Sequence, residues 1–368
     1  MLRQETARVS ASPSLDDWAS AFHAAHQAPA MAFATARPGK LLWASAHGFA
    51  HLELAVPATS EHRFRLGSVS KVITTTAAAR LVSRGLLELD TPISYWMPDL
   101  PAHHRQTTLR QLFTHTAGVR HYLAKDLDPK GPGGPVTHRH YPDRRSILAL
   151  FIQDPLVAEP GARVSYSSYG YTLASMVMEA ASGQDFLALI ADEIARPFEL
   201  PSLAADDPFA VVRGRVSGYF TKRELEFLAT KPGFDAPPID GEHANIGLGN
   251  PAFCWAGAGL LASMPDLARF GAALFDSPAA TITGSERSLL FTPLTEATDS
   301  SPPLGLGWRL DRDRRGRERW HHAGGTPGGR CALVLYPDCG LSIALAGNTM
   351  TEPGDVLAAA EELATITG

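Results

Sequence analysis

Ser68 and Lys71 stand three residues apart in Gly67-Ser68-Val69-Ser70-Lys71, at the head of a long apolar run. A serine hydroxyl is a weak nucleophile near neutral pH and needs a neighbour that can take its proton. Residues i and i+3 share a helix face, so the Lys71 amine can reach the Ser68 hydroxyl. The chemistry open to such a pair is attack on an acyl carbon. Ser70 is the rival hydroxyl, but i and i+1 side chains do not face each other on a helix, which favours Ser68. Alone, the four-residue pattern is weak, because two fixed positions recur by chance at polar helix starts. Its setting adds weight. The extended run Arg63-Phe64-Arg65-Leu66 ends at Gly67. Beyond Lys71, the residues Val72, Ile73, Ala77, Ala78, Ala79, Leu81, Val82, Leu86 and Leu87 are apolar nearly all round, the pattern of a helix buried within a fold. A serine in its first turn sits in the positive field of the helix dipole.

Two further strings carry chemistry. Tyr166-Ser167-Ser168 precedes an expected helix at Tyr169. A phenol ordinarily titrates near 10, and a nearby cation such as Lys71 lowers that and makes a tyrosinate base credible. Read alone, Tyr166 is equally well an amphipathic residue at a helix start. The string from His321 to Gly329 ends an expected strand, and its clustered glycines let backbone pass close to a ligand. An exposed N–H there can complete an oxyanion hole with the N–H of Ser68. His322 can position substrate or share in proton transfer. By itself this string also reads as a glycine-rich turn with two surface histidines.

These residues need a frame to hold them. The chain has 368 residues, 45% hydrophobic and 19% charged, enough for a sizeable core. Asp16 to His26 reads as a helix, and Ala30–Thr35 with Leu41–Ala46 as two strands around a Pro-Gly turn. Thr108 to Gln111 is a capping box opening a short helix that runs to Gly118. Residues 125–143, rich in Pro, Gly and charge, read as a long exposed loop. Tyr169–Ser182 and Asp185–Arg196 read as helices, and Ser263 to Asp266 as a second capping box. Strand-like runs follow at Leu304–Asp311, Glu318–His322, Arg330–Tyr336 and Leu341–Gly347, then a helix over Asp355–Thr365. Short connections favour antiparallel pairing, and the N-terminal strands are expected to join the C-terminal meander in one sheet. The predicted class is α+β, an antiparallel sheet flanked by helices. Residues 1–95 and 250–368 form the sheet domain, and 96–249 a mostly helical insertion.

Composition excludes several roles. The net charge of −5, from 33 basic and 38 acidic residues, offers no basic surface for nucleic acid. The cluster Arg312, Arg314, Arg315, Arg317 and Arg319 is broken by Asp311, Asp313 and Glu318 and reads as a solvated hairpin tip. No run is long enough for a membrane span, and the start has no apolar core of signal-peptide length. The residues up to Arg8 read as disordered. Cys254, Cys331 and Cys339 are scattered, with neither metal spacing nor a disulfide framework, which fits a reducing, cytoplasmic setting. No cofactor and no metal is expected. Histidine pairs such as His103-His104 and His138/His140 fall in loops, without the spacing a metal site needs on a regular element.

Taken together, the strings carry a resemblance. Phe64 to Lys71, Thr108-Leu109-Arg110-Gln111-Leu112-Phe113-Thr114-His115-Thr116-Ala117-Gly118, Tyr166 to Tyr171, Trp255 to Gly259 and His322 to Gly328 resemble the serine β-lactamase and penicillin-binding superfamily. The likeness is to its class C and esterase-like members, and most to the mitochondrial β-lactamase-like serine protease branch. It runs from about Pro29 to Asn348. It implies a β-lactamase/transpeptidase-like fold with Ser68 as acylated nucleophile and Lys71 and Tyr166 as base and proton relay. It implies oxyanion donors at the N–H groups of Ser68 and Gly325, and substrate contacts at Ser168, His322 and Gly324. Arg120 and Tyr122 join the cleft on the same ground.

The chain departs from the family pattern where Ser168 replaces Asn and His322-Ala323 replaces Lys-Thr. A hydroxyl offers fewer hydrogen bonds than an amide, and the lost cation removes a partner for a β-lactam carboxylate. The expected activity is therefore acyl transfer to water from peptides or small esters and amides, with little β-lactam turnover. A non-catalytic scaffold or filament-forming protein on the same fold is the alternative, although a scaffold has no physical need of an activated hydroxyl.

Overall fold

In strand β1 (Ala30–Arg37), Met31 and Phe33 point to one side and Ala30, Ala32, Ala34 and Ala36 to the other. This is the two-residue period of a strand buried on both faces. The structure is a computed structural model that describes residues 14–368 except Gln27, 231–238, Asp240, Leu248, Ala279 and Ser300. The expected disorder up to Arg8 lies outside these residues. After β1 come β2 (Lys40–His51), β3 (Val56–Pro57), β4 (Arg309–Arg312), β5 (Glu318–Thr326), β6 (Gly329–Tyr336) and β7 (Leu341–Gly347). They form one seven-stranded sheet in the order β3-β2-β1-β7-β6-β5-β4, with every neighbouring pair antiparallel. The N-terminal hairpin joins the C-terminal meander along β1 and β7, where Phe33 pairs with Leu345. This α+β class with an antiparallel sheet matches the expectation.

The helices that matter to the site and its support are α1 (Leu15–Ala24), α2 (Ser70–Ser83), α3 (Leu109–Phe113), α4 (Ser168–Ser182), α5 (Met264–Ala272) and α6 (Val356–Thr367). On the Met31/Phe33 face the sheet is covered by Trp18 of α1 and by Val356 and Leu363 of α6. On the alanine face α5 lies almost on the strands. A Cβ at Gly271 would sit 2.3 Å from Ser342 Oγ and 2.6 Å from a Leu335 methyl, so only glycine allows that approach. Helix α2 is buried continuously from Ser70 to Ala79, and its Val72, Ile73 and Leu81 join the same core. Residues 96–249 contribute no strand to the large sheet among the described residues. Besides helices they hold short strands at Ala204–Ala205, paired with Leu260–Ala262, and at Tyr219–Thr221, paired with His243–Asn245. No helix of the described residues is long and apolar enough to cross a membrane.

Three local expectations are corrected and a fourth is refined. Ser68 lies not in the α-helix but in a single 3-10 turn, Gly67–Val69, which feeds α2. The helix opened by the Thr108 capping box stops at Phe113, because His115 turns into the left-handed region at φ +60°. The segment 125–143 is not simply an exposed loop. Asp126 is buried against Arg120, with Nη1–Oδ2 at 2.6 Å, and Val136 is buried as well. The arginine-rich hairpin is exposed at its tip, at Arg312, Arg314 and Arg315, as expected, but it is also tied down at its base. Asp313 is buried beneath the Arg317 guanidinium, which lies 4.8 Å from the Tyr336 ring, and Arg314 pairs with Glu361 of α6 at 3.1 Å. Alternating charge marks salt-bridge partners as readily as solvent.

Candidate active site

Ser68 lies in the 3-10 turn and Lys71 in the first turn of α2, so the two side chains, three residues apart, share one face. The Lys71 amine lies 3.2 Å from Ser68 Oγ. Ser70 is fully buried and its hydroxyl accepts the Leu260 N–H at 3.2 Å, so it serves as a tie between elements. Tyr166, just before α4, reaches across from the other side of the cleft and its phenol O–H donates to Ser68 Oγ at 2.8 Å. An alcohol, an amine and a phenol thus converge, with the alcohol in the middle.

Lys71 is completely buried and has no carboxylate partner among the described residues. Its ammonium is instead held by neutral oxygens and ring faces. It donates to the Gly257 carbonyl at 2.8 Å and to Ser168 Oγ at 3.2 Å. It also sits 4.8 Å from the Tyr166 ring centroid and 5.2 Å from that of Tyr171. Such cation–π contacts stabilise a desolvated cation. Burial would push the Tyr166 phenol up, but the Lys71 charge and the hydrogen bonds around the phenol hold it below the ordinary tyrosine range. Tyr171, fully buried where Tyr166 is half-buried, is raised well above that range by its burial.

Backbone completes the pocket. Gly67, at φ +50°, and Gly324 interlock so tightly that a Cβ on Gly324 would lie 2.2 Å from the Leu66 carbonyl and 2.6 Å from the Ser68 nitrogen. Strand β5 therefore runs directly beside the nucleophile. Thr326 and Gly329 close a two-residue turn, so by the alternation of an antiparallel ladder the pair Gly325–Arg330 does not exchange hydrogen bonds. The Gly325 N–H then faces away from β6, and the pairing of β5 with β4 has already ended at His321. The Gly325 nitrogen lies 2.9 Å from where a Cβ on Gly67 would stand, so the amide of Gly325 is a close neighbour of the turn that carries Ser68.

His322 is buried, with Nδ1 2.8 Å from the Ala323 carbonyl. Burial first, then the charges of Lys71 and Arg309, push its imidazole well below the usual histidine range, so it is neutral at physiological pH. It does not replace the missing cation of the third motif. Ser168, expected to face substrate, is buried with its hydroxyl on Lys71, so it braces the amine. Arg120, placed in the cleft by resemblance, is enclosed by Asp126, Asp154 and the Leu150 carbonyl and supports the 125–143 segment.

Several neighbours went unread in the sequence. His115 and His121 accept the N–H groups of Ser167 and Ser168 at 3.1 and 3.2 Å. His121 is driven down to about 4, first by burial and then by Lys71. Arg309 lines a small cavity with His115, His322, Phe113, Leu304 and Gly307. The strings around His115 and Gly257 were noticed for their resemblance, but a backbone carbonyl carries no sequence signal of its own. A cavity of about 490 Å³ lies at the far end of α2, away from Ser68, and its Arg80 and Arg84 are paired with Glu193. No cluster of metal-ligating side chains occurs among the described residues.

Comparison with known proteins identifies the family and the fold. A family profile described as Beta-lactamase matches residues 15–366. The chain is 24% identical over 395 residues to the human "Serine beta-lactamase-like protein LACTB, mitochondrial", covering 84% of this chain and 69% of that protein. It is 28% identical over 253 residues to "Esterase EstB" of Burkholderia gladioli, covering 64% of this chain and 62% of the esterase. Among solved structures, the D-amino acid amidase of Ochrobactrum anthropi SV3 superposes with a TM-score of 0.78 at 21% identity, over 96% of this chain and 98% of the amidase. A penicillin binding protein from Bacillus halodurans gives 0.74 at 22% identity, over 90% and 95% of the two chains. At these identities the structural matches speak to the fold.

Proposed function

The chain belongs to the beta-lactamase family, and from that premise we propose that it is a serine hydrolase working through an acyl-enzyme on peptides or small esters and amides. The observation that carries the reading is the position of Ser68 Oγ, within hydrogen-bond reach of both the Lys71 amine and the Tyr166 phenol. In the proposed cycle Tyr166 first gives its own proton to solvent, and the phenolate then takes the Ser68 proton as Oγ bonds to the substrate carbonyl carbon. The carbonyl electron pair moves onto oxygen, which the N–H groups of Ser68 and Gly325 receive. As the oxyanion collapses, the bond to the leaving group breaks and Tyr166 returns the proton to it. Water then gives a proton to Tyr166, its oxygen attacks the acyl carbon, and Ser68 departs and is reprotonated. The Lys71 charge beside the phenol, which holds it below the ordinary tyrosine range, supports this role for Tyr166.

The relatives support hydrolase chemistry, and the chain's own departures narrow it. With a neutral His322 and with Ala323 in place of a hydroxyl, the third motif lacks the groups expected to hold a β-lactam carboxylate. Weak or absent nitrocefin turnover is expected beside measurable p-nitrophenyl ester hydrolysis. The three free thiols support a reducing, cytoplasmic setting. The deciding experiment is labelling with a fluorophosphonate probe: the native protein should be modified and Ser68→Ala should not. An unlabelled native protein, or equal labelling of both, would overturn the reading.

A further inference from the structure

His115 is a buried histidine to which the cycle above assigns no step, yet three independent features tie it to Tyr166. Its backbone is left-handed at φ +60°, a conformation that residues with a β-carbon adopt at a cost. From that turn its carbonyl accepts the N–H of Ser165 at 2.7 Å, and its Nδ1 accepts the N–H of Ser167 at 3.1 Å. One residue thus grips the chain on both sides of Tyr166. Its ring also lies against the Tyr166 ring, with centroids 4.3 Å apart and planes tilted by 38°.

We propose that His115 is the positioning residue of Tyr166, and that its Nδ1 lone pair sets the phenol's distance from Ser68. The proposal rests on the reading of Tyr166 as the acceptor of the Ser68 proton. Accepting at Nδ1 requires a neutral ring with its hydrogen on Nε2, since a protonated imidazole has no lone pair to offer. The surroundings favour that form. His115 is buried, and it is faced by Lys71 of α2, His322 of β5, Arg309 of β4, His121, and the phenols of Tyr166 and Tyr171. Burial foremost, then the Lys71 charge, hold it well below the usual histidine range. Ser167 is held from a second direction, its hydroxyl donating to the Arg120 carbonyl at 2.8 Å while it caps α4 by accepting the Gly170 N–H at 2.9 Å. What His115 adds is control of the stretch just ahead of that cap, where the tyrosine emerges.

Three substitutions separate the contributions. His115→Asn keeps a short acceptor and tolerates a positive φ. His115→Phe keeps a ring and loses the acceptor. His115→Gly relieves the backbone and removes both. Rates of p-nitrophenyl acetate hydrolysis are referred to active sites counted by fluorophosphonate labelling, so misfolded protein does not enter kcat. A displaced catalytic group costs on the order of 10- to 100-fold, so the Phe and Gly variants should lose about that much kcat with KM within about threefold. The rising limb of their pH profile should move upward as the phenol drifts from Lys71. The Asn variant should stay within about tenfold of wild type with its limb in place.

Phe or Gly variants with wild-type kcat and an unmoved limb overturn the proposal. If those two do not fold, the Asn variant decides alone, and a displaced limb there overturns it. Ser68→Ala serves as the control, its rate referred to total folded protein because it offers no site to label. If it turns over ester as fast as wild type, the hydrolase reading itself has failed. If only the His115 variants behave as wild type, the failure belongs to His115.

Discussion

Replacing Lys71 with Met removes a charge and almost no volume. The amine has no carboxylate partner among the described residues and is wholly buried, so its electrostatic work is directed at the phenol and the serine. Taking 4.8 Å between Nζ and the Tyr166 ring as the charge separation, and an effective dielectric of about 20, Coulomb's law gives about 3.5 kcal/mol between ammonium and phenolate. That corresponds to roughly 100- to 1000-fold in kcat/KM at neutral pH. The direction is fixed by the competing effects at Tyr166. Burial raises the phenol and the Lys71 charge lowers it, so without the charge burial prevails and the rising limb of the pH profile moves to higher pH. Stability should move the other way or not at all. A desolvated ammonium replaced by an apolar chain of similar length is commonly neutral or stabilising. The assay is p-nitrophenyl acetate hydrolysis across the pH range together with a thermal melt. A Lys71→Met enzyme within about tenfold of wild type, with its limb unmoved, would refute the assignment of Lys71 as the group that tunes Tyr166.

Two further outcomes follow from the packing and the charges. Gly324→Ala drives a methyl into the Leu66 carbonyl and the Ser68 nitrogen, neither of which can rotate away, so it should cost about 1–3 kcal/mol and abolish fluorophosphonate labelling. A labelled, wild-type-stable Gly324→Ala protein would mean that β5 does not run against the nucleophile. Asp311 predicts an acid limit. Burial opposes its ionisation, but the hydrogen bond from His321 and the two-pronged contact of Arg319, at 2.6 and 3.1 Å, bring its carboxyl from 3.8 down to about 2. A depressed carboxyl contributes stability that is present above pH 3.8 and lost as the pH falls through about 2. The stability gap between wild type and Asp311→Asn should close over that window in circular-dichroism melts, and a gap that persists to pH 2 would remove Asp311 from the account.

Local rules were enough to read a good part of this protein. Three-residue spacing put the Lys71 amine beside the Ser68 hydroxyl, although Ser68 lies in a 3-10 turn ahead of the helix. A Pro-Gly turn marked β1 and β2, strand-like runs with short connections marked the C-terminal meander, and Ser263 and Thr108 announced their helices, because a cap is a contact between residues three apart. These features depend on nearest neighbours along the chain, so the order of residues by itself determines them. Other features depend on what distant segments bring within a few ångströms. Against its burial, the Tyr166 phenol is lowered chiefly by a lysine far back in the chain, helped by Ser68 and Arg309. Ser168 turns to that lysine instead of the cleft, and the Gly257 carbonyl, invisible as a letter, supplies its shortest hydrogen bond. His115 and His121 are neutral acceptors because burial and the Lys71 charge exclude the proton. Dielectric and charge proximity belong to the folded assembly, so protonation and positioning were decided only when the chain closed on itself.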